Sequence, residues 1–189
     1  TEIADLVPEA EHGTFDYIIS SHNFEHLANP IKFLQGAGKV LREGGRLIMV
    51  VPDRRACFDF YRPHTRIGDW LDAYDEDRAR PTRRQVFDLA ANRATLVKNG
   101  RRTGAFRVGV PVEGVQLTGH LESAYRTYYR NAMPDEYIDA HCTIMTQGSL
   151  ELLLAEARQL GLIAFRTDGL THTTGCEFAV RLTATAADL

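Results

Sequence analysis

Hydrophobic and polar positions divide the chain into three stretches of different character. In the first, Phe15-Asp16-Tyr17-Ile18-Ile19-Ser20 is a short run of β-branched and aromatic residues and reads as a buried strand. Asn29-Pro30 then marks a helix start, because Asn caps well and Pro suits the first helical position. Ile31, Leu34, Gly38 and Leu41 recur at helical spacing and give one core-facing side. Gly36 and Gly38 imply close packing of that helix on a sheet. Glu43-Gly44-Gly45 is expected to end it, with glycine supplying a left-handed cap. Arg46-Leu47-Ile48-Met49-Val50-Val51 follows as a second strand. It is apolar without alternation, which predicts cover on both faces, and Pro52 stops it. Strand, helix and strand with short connections predict a parallel unit with a right-handed crossover.

The second stretch, 54–139, is rich in Arg, Asp and Tyr and reads as an inserted, mostly helical subdomain. Asp69–Asp77 and Arg83–Lys98 are expected as helices with polar outer faces. Val108–Val115 is strand-like but broken by Gly109, Pro111 and Gly114. The third stretch, 140–189, returns to alternating elements. Thr146 can cap a helix whose apolar face is Leu150, Leu153, Leu154, Ala157 and Leu160, closed by Gly161. Leu162–Arg166 reads as a strand, Asp168–Gly175 as a loop, and Cys176–Leu182 as a strand with one polar side. The fold class is α/β. Residues 1–189 form one domain, in which 1–53 and 140–189 make the core and 54–139 the insert.

Composition narrows the function. The 189 residues carry 22 Lys and Arg against 25 Asp and Glu, a net charge of −3 at pH 7. No basic excess points to nucleic acid. Apolar runs such as Leu47–Val51 are too short to span a bilayer. The amino-terminal Thr1-Glu2-Ile3-Ala4-Asp5 lacks the pattern of a secretion signal. Three widely spaced cysteines, Cys57, Cys142 and Cys176, make no disulfide framework, so a reducing cytoplasm is expected.

The densest cluster of reactive side chains is Ser20-Ser21-His22-Asn23-Phe24-Glu25-His26, between the first strand and the first helix. Ligands of open parallel sheets bind at the carboxyl ends of strands, so this position is a site candidate. His22-x-x-Glu25-His26 matches a zinc-peptidase pattern, in which both histidines share one face of a long helix and the glutamate activates water. Pro30 lies only four residues after His26 and a strand ends just before His22, which leaves no room for such a helix. A zinc hydrolase is therefore the remote alternative, and no metal ligand set is expected. The plainer alternative is that these histidines only bond to backbone groups in a tight connection.

The run from Phe15 to Pro30, with its "FD-x-I-x-x-x-H-x-x-EHL-x-x-P" pattern, resembles class I S-adenosylmethionine (SAM)-dependent methyltransferases. Val40-Leu41-Arg42-Glu43-Gly44-Gly45-Arg46-Leu47 and Val51-Pro52-Asp53 add to the resemblance. Together they are similar to the fourth strand, following helix and fifth strand of that family. Pro52-Asp53-Arg54-Arg55, Phe58-Asp59, Arg62-Pro63, Asp139-Ala140-His141 and Gly175-Cys176-Glu177-Phe178 resemble a type 11-like subgroup associated with glycan biosynthesis. The resemblance implies a partial Rossmann-like, doubly wound sheet, with the last strand inserted antiparallel beside the fifth. It also implies SAM as cofactor and methyl transfer to a small or glycan-linked acceptor. Ser20, Ser21 and His22 map to the cofactor's sulfonium region. His22 is the base candidate, with Glu25 or His26 orienting it, because imidazole titrates near neutrality.

Arg54, Asp59, Arg62 and His141 map to the acceptor side. There arginines could hold a phosphate or carboxylate, or the same groups could form a salt-bridge network that anchors the insert. Asp139 and His141 could line the acceptor pocket or pin the insert to the core. The resemblance covers the carboxyl half of the family's fold. Gly13 is the one glycine among the first 35 residues, so no glycine-rich cofactor turn precedes Phe15. This gives the alternative of a non-catalytic, truncated domain acting as a binding or assembly module. It also leaves Tyr17–Ser20 as an apolar open edge, which predicts a homodimer.

Overall fold

The computed structural model describes residues 3–131 and 135–186. Two short 3₁₀ turns, Ala4–Leu6 and Glu9–Glu11, lead into β1 (Phe15–Ser21). Helix α1 (Pro30–Val40) follows, and then β2 (Leu41–Pro52). Further along come α5 (Gln147–Gln159), β6 (Phe165–Leu170) and β7 (Glu177–Ala184), after an insert whose elements are given below. The main sheet has the order β1-β2-β7-β6. β1 and β2 are parallel, and β7 runs antiparallel to both β2 and β6. The expected parallel unit and the antiparallel last strand are both present.

The two core helices are set by their caps. Asn29 Oδ1 accepts the Lys32 amide at 3.1 Å, with Pro30 in the first turn. Thr146 and Ser149 cap α5 reciprocally, through a Thr146 N–H to Ser149 Oγ bond of 2.8 Å and a Ser149 N–H to Thr146 Oγ1 bond of 3.4 Å. Ile31, Leu34 and Ala37 of α1, and Leu150, Leu153, Leu154 and Ala157 of α5, are buried against Leu47, Met49, Val51, Val180 and Leu182. Each such Leu, Ile or Met side chain contributes roughly 1.5–3 kcal/mol of burial. Phe165 lies over Gly38, where an added Cβ would sit 3.7 Å from its ring.

Several sequence expectations are corrected. Helix α1 ends at Val40 and Leu41 is already strand, so Gly44 and Gly45 do not cap it. They form an irregularity at the start of β2, with Gly44 at φ 74°. A Cβ on Gly45 would lie 2.8 Å from the Arg42 carbonyl oxygen and 3.0 Å from that of Phe15, so the close approach of β1 and β2 needs glycine here. Asp168 and Gly169 belong to β6 rather than to a loop. The Thr183 hydroxyl donates to Asp168 at 2.6 Å, and Gly169 at φ 156° lets the strand shift register there.

Among the described residues, helices cover only one face of the main sheet. Ile48 and Val50 are half-buried on the other face, where Tyr17 and Ile19 are 64% and 67% exposed. The expectation that β2 is covered on both faces is thus not met. β1 is an edge strand, as the open-edge reading required.

The insert combines helices α2 (Ile67–Asp75), α3 (Arg83–Asn92) and α4 (Leu121–Tyr125) with a small sheet, β4-β3-β5. Its strands are β3 (Ala94–Lys98), β4 (Arg101–Thr103) and β5 (Val115–Leu117). The expected single helix over 83–98 stops at Asn92, because Asn99 and Gly100, both at positive φ, turn β3 back into β4 as a hairpin. Of the strand-like 108–115 segment, only Val115 is strand, and Val112–Gly114 is a 3₁₀ turn. Helix α2 joins the main core through Trp70, whose ring meets Phe24 edge-on at 5.9 Å. The small sheet has its own cluster of Ala94, Phe106 and Val115.

Candidate functional site

The carboxyl end of β1 is shaped by one unusual backbone position. His22 donates its amide to the Val50 carbonyl at 3.0 Å and then turns at φ 47°, a left-handed conformation uncommon outside glycine. The chain continues into a 3₁₀ turn, Phe24–His26. Phe24, fully buried against Phe33 and Trp70, fixes that turn and carries Glu25 inward with it. The Glu25 carbonyl accepts the amides of Cys142 at 2.6 Å and Thr143 at 3.1 Å. These bonds strap segment 140–143 across the site and bring His141 beside His26, with ring centroids 4.6 Å apart.

From there a chain of polar contacts runs into the insert. His26 Nδ1 pairs with Asp139 at 2.8 Å, and His141 Nδ1 with Asp59 at 2.5 Å. Asp59 Oδ1 accepts from Arg62 at 2.6 Å, and Arg62 donates also to the carbonyls of His141 and Gln85. Asp59 and Arg62 are each 2% exposed. Burial acts to raise the Asp59 pKa. The His141 hydrogen bond and charge, together with Arg62, outweigh it and hold the carboxyl below its usual range. On the other side of Glu25, His22 Nε2 meets Glu177 at 2.5 Å, and His22 Nδ1 lies 3.4 Å from Glu25 Oε1.

A second network closes the end of β2. Asp53, fully buried, accepts from the Arg55 backbone and side chain and from the Thr173 hydroxyl at 2.7 Å. Burial pushes its pKa up, but these bonds prevail and keep it low. Arg54 donates to the Phe60 carbonyl at 2.5 Å, with its amide on the Met145 carbonyl. Burial, and then the neighbouring Arg54 and Arg55 charges, push the His64 pKa down.

The structure therefore brings six predicted site residues together: His22, Glu25, His26, Asp59, Arg62 and His141. Ser20 is buried at the end of β1 within 3.5 Å of the Asn23 amide, and Ser21 is exposed beside it. Arg54 stands apart in the second network. Asp59 and Arg62 lie behind His141 and are bonded to each other. A hollow of about 370 Å³ borders the far side of Arg62, lined also by His64, Arg84 and Asp88. Glu177 is not legible as a site residue in the sequence. It lies 155 positions from His22, and only the Gly175–Phe178 pattern points to it.

Residues 2–161 match the family described as "Methyltransferase domain". The chain belongs to that family. It is also similar to solved structures. One is the PH0226 protein of Pyrococcus horikoshii OT3, at 12% identity and a TM-score of 0.41, over 93% of this chain and 54% of that one. Another is an S-adenosylmethionine dependent methyltransferase from Mesorhizobium loti, at 11% identity and a TM-score of 0.43, over 97% of this chain and 67% of that one. The chain spans between about half and two thirds of the length of these structures. No curated protein sequence matches it. Among the described residues, no helix is long and apolar enough to cross a membrane.

Proposed function

We propose that the protein is a SAM-dependent methyltransferase that acts on a hydroxyl of a small or glycan-linked acceptor, with His22 as the base. Family membership supports methyl transfer. The observation that carries the role of His22 is its place at the carboxyl end of β1, 44% exposed and held by carboxylates on both ring nitrogens. With Nε2–H donated to Glu177, Nδ1 is the nitrogen left to accept a proton. Glu25 beside it stabilises the imidazolium that forms, the same logic by which a carboxylate orients a catalytic histidine.

The residues here suit one end of the cofactor. Ser20, Ser21 and the partly exposed carboxylate of Glu177 favour a cationic sulfonium group. Among the described residues, no glycine-rich turn follows a strand ahead of β1, so the ribose end is assigned to no residue. When bound, SAM supplies an electrophilic methyl group. The chain's own contribution is to hold the acceptor hydroxyl in line and to take its proton at His22.

The test is release of S-adenosylhomocysteine in the presence of a panel of sugars and sugar nucleotides. His22→Ala is expected to lower turnover on the accepted compound by roughly 10²–10⁴-fold. Glu177→Gln is expected to cost less, since an amide still accepts the Nε2–H bond. Unchanged turnover in His22→Ala removes it as the base.

A further inference from the structure

Its place beside His22 does not by itself account for the burial of Glu25. Its side chain is fully buried, and neither carboxylate oxygen accepts a hydrogen bond from any described residue. Burying a carboxylate without partners is costly. The groups nearest to it are histidine nitrogens: His22 Nδ1 at 3.4 Å, unprotonated while Nε2–H is donated to Glu177, and one nitrogen each from His26 and His141, whose outer bonds fix which nitrogens these are. Asp139 holds Nδ1 of His26, and Asp59 holds Nδ1 of His141. A carboxylate only accepts, so each Nδ1 carries the proton. In a neutral ring the Nε2 lone pair is then left over. For His26 that nitrogen lies 3.7 Å from Glu25 Oε1, too far for a hydrogen bond. Acceptors thus converge on a carboxylate, with no donor between them.

We propose that Glu25, His26 and His141 bind one divalent d-block cation through a carboxylate oxygen and the two Nε2 atoms. One ligand atom from each of the three lies within 4.8 Å of the others. In a tetrahedral zinc site, ligand atoms at about 2.0–2.1 Å from the ion stand roughly 3.4 Å apart, so modest side-chain rotation closes the set. Two imidazoles and a carboxylate suit zinc, iron(II), cobalt(II) or manganese(II) and leave a position open for water or a hydroxyl. The bonds from Nδ1 to Asp139 and Asp59 are the outer-shell support that metal-binding histidines regularly have. Charge agrees as well. Among the described residues, Arg62 is the one arginine or lysine bonded to Asp59, Asp139 or Glu25, so with both imidazoles neutral these three carboxylates leave two negative charges for a dication. Entry is open on the His26 side, where the ring is 30% exposed.

The site differs from the His22-Glu25-His26 pattern legible in the sequence, because His141 replaces His22. It stands whether or not the protein transfers methyl groups.

The experiment is titration of the purified, tag-free, chelator-treated chain with zinc chloride by calorimetry, with cobalt(II) absorption as a second readout. One equivalent is expected to bind with micromolar affinity or tighter, and cobalt to give ligand-field bands in the visible. Glu25→Gln and His26→Gln should abolish both signals. Asp139→Asn, at a half-exposed position, should weaken binding roughly 10–100-fold with an unchanged circular dichroism spectrum. His22→Ala should bind as the wild type does. Absence of stoichiometric binding in the wild type overturns the proposal. So does binding that survives Glu25→Gln, or binding lost in His22→Ala but kept in His141→Ala.

Discussion

Replacing Arg62 by methionine separates a structural from a ligand-holding role for the arginine. The guanidinium is 2% exposed and donates to Asp59 at 2.6 Å and to the carbonyls of His141 and Gln85 at 2.9 Å and 3.3 Å. Removing it leaves a buried carboxylate whose remaining close partner is His141. Breaking a buried ion pair costs about 3–5 kcal/mol. His141 still donates and methionine refills much of the space, so we take the lower end, about 3 kcal/mol. At about 2–4 °C per kcal/mol for a chain of this size, Tm should fall by roughly 6–12 °C. The assay is urea unfolding followed by far-ultraviolet circular dichroism, checked by thermal melting. Asp59→Asn combined with Arg62→Met should be less destabilised than the sum of the single changes, by about 1–2 kcal/mol, because neither charge is left alone. A loss under about 1 kcal/mol, or strict additivity, would refute the reading that the pair pins the insert to the core.

Other outcomes follow from the same geometry. Asp53 and Asp59 have lower pKa values in the folded chain than when unfolded, so their contribution is complete above roughly pH 4 and is lost as pH falls through the folded values. Stability should therefore drop on acidification below about pH 4, and Asp59→Asn should flatten that drop. Burial pushes the Cys57 thiol up, and pushes Cys142 up to about 12, while Cys176 is half-exposed. Iodoacetamide at mild alkaline pH should label Cys176 first and the other two only on unfolding; equal labelling of Cys57 would contradict its burial. We propose that the open β1 edge, where Ile19 is 67% exposed, pairs two copies of the chain, and Ile19→Lys should then shift light scattering from dimer to monomer. A wild-type monomer at high concentration would end that expectation.

The sequence showed the core elements because their caps and apolar faces are local. Asn29-Pro30 and Thr146 start helices by short-range bonds, and Leu150, Leu153 and Leu154 mark one side of α5. It showed less of the insert. Asn99-Gly100 is a hairpin signal, but it follows a run of helix-forming residues that masks the end of α3 at Asn92. Gly44-Gly45 looks like a helix cap until the close approach of β1 to β2 is seen. The site was half legible. His22, Glu25 and His26 stand together in the chain and flag themselves. The partners that decide their chemistry come from far away: His26 meets Asp139 across 113 positions and His22 meets Glu177 across 155. Only the strap of 140–143 onto the Glu25 carbonyl explains why His141 belongs to the same cluster.

Membership of the methyltransferase domain family, joined to the proposed His22 site, points to SAM binding by this chain. Calorimetric titration of SAM into the purified protein tests it most directly. One site per chain with micromolar affinity and a matching rise in Tm is the expected result. No heat and no thermal shift would contradict it and would leave the fold as a binding module without the chemistry proposed for it.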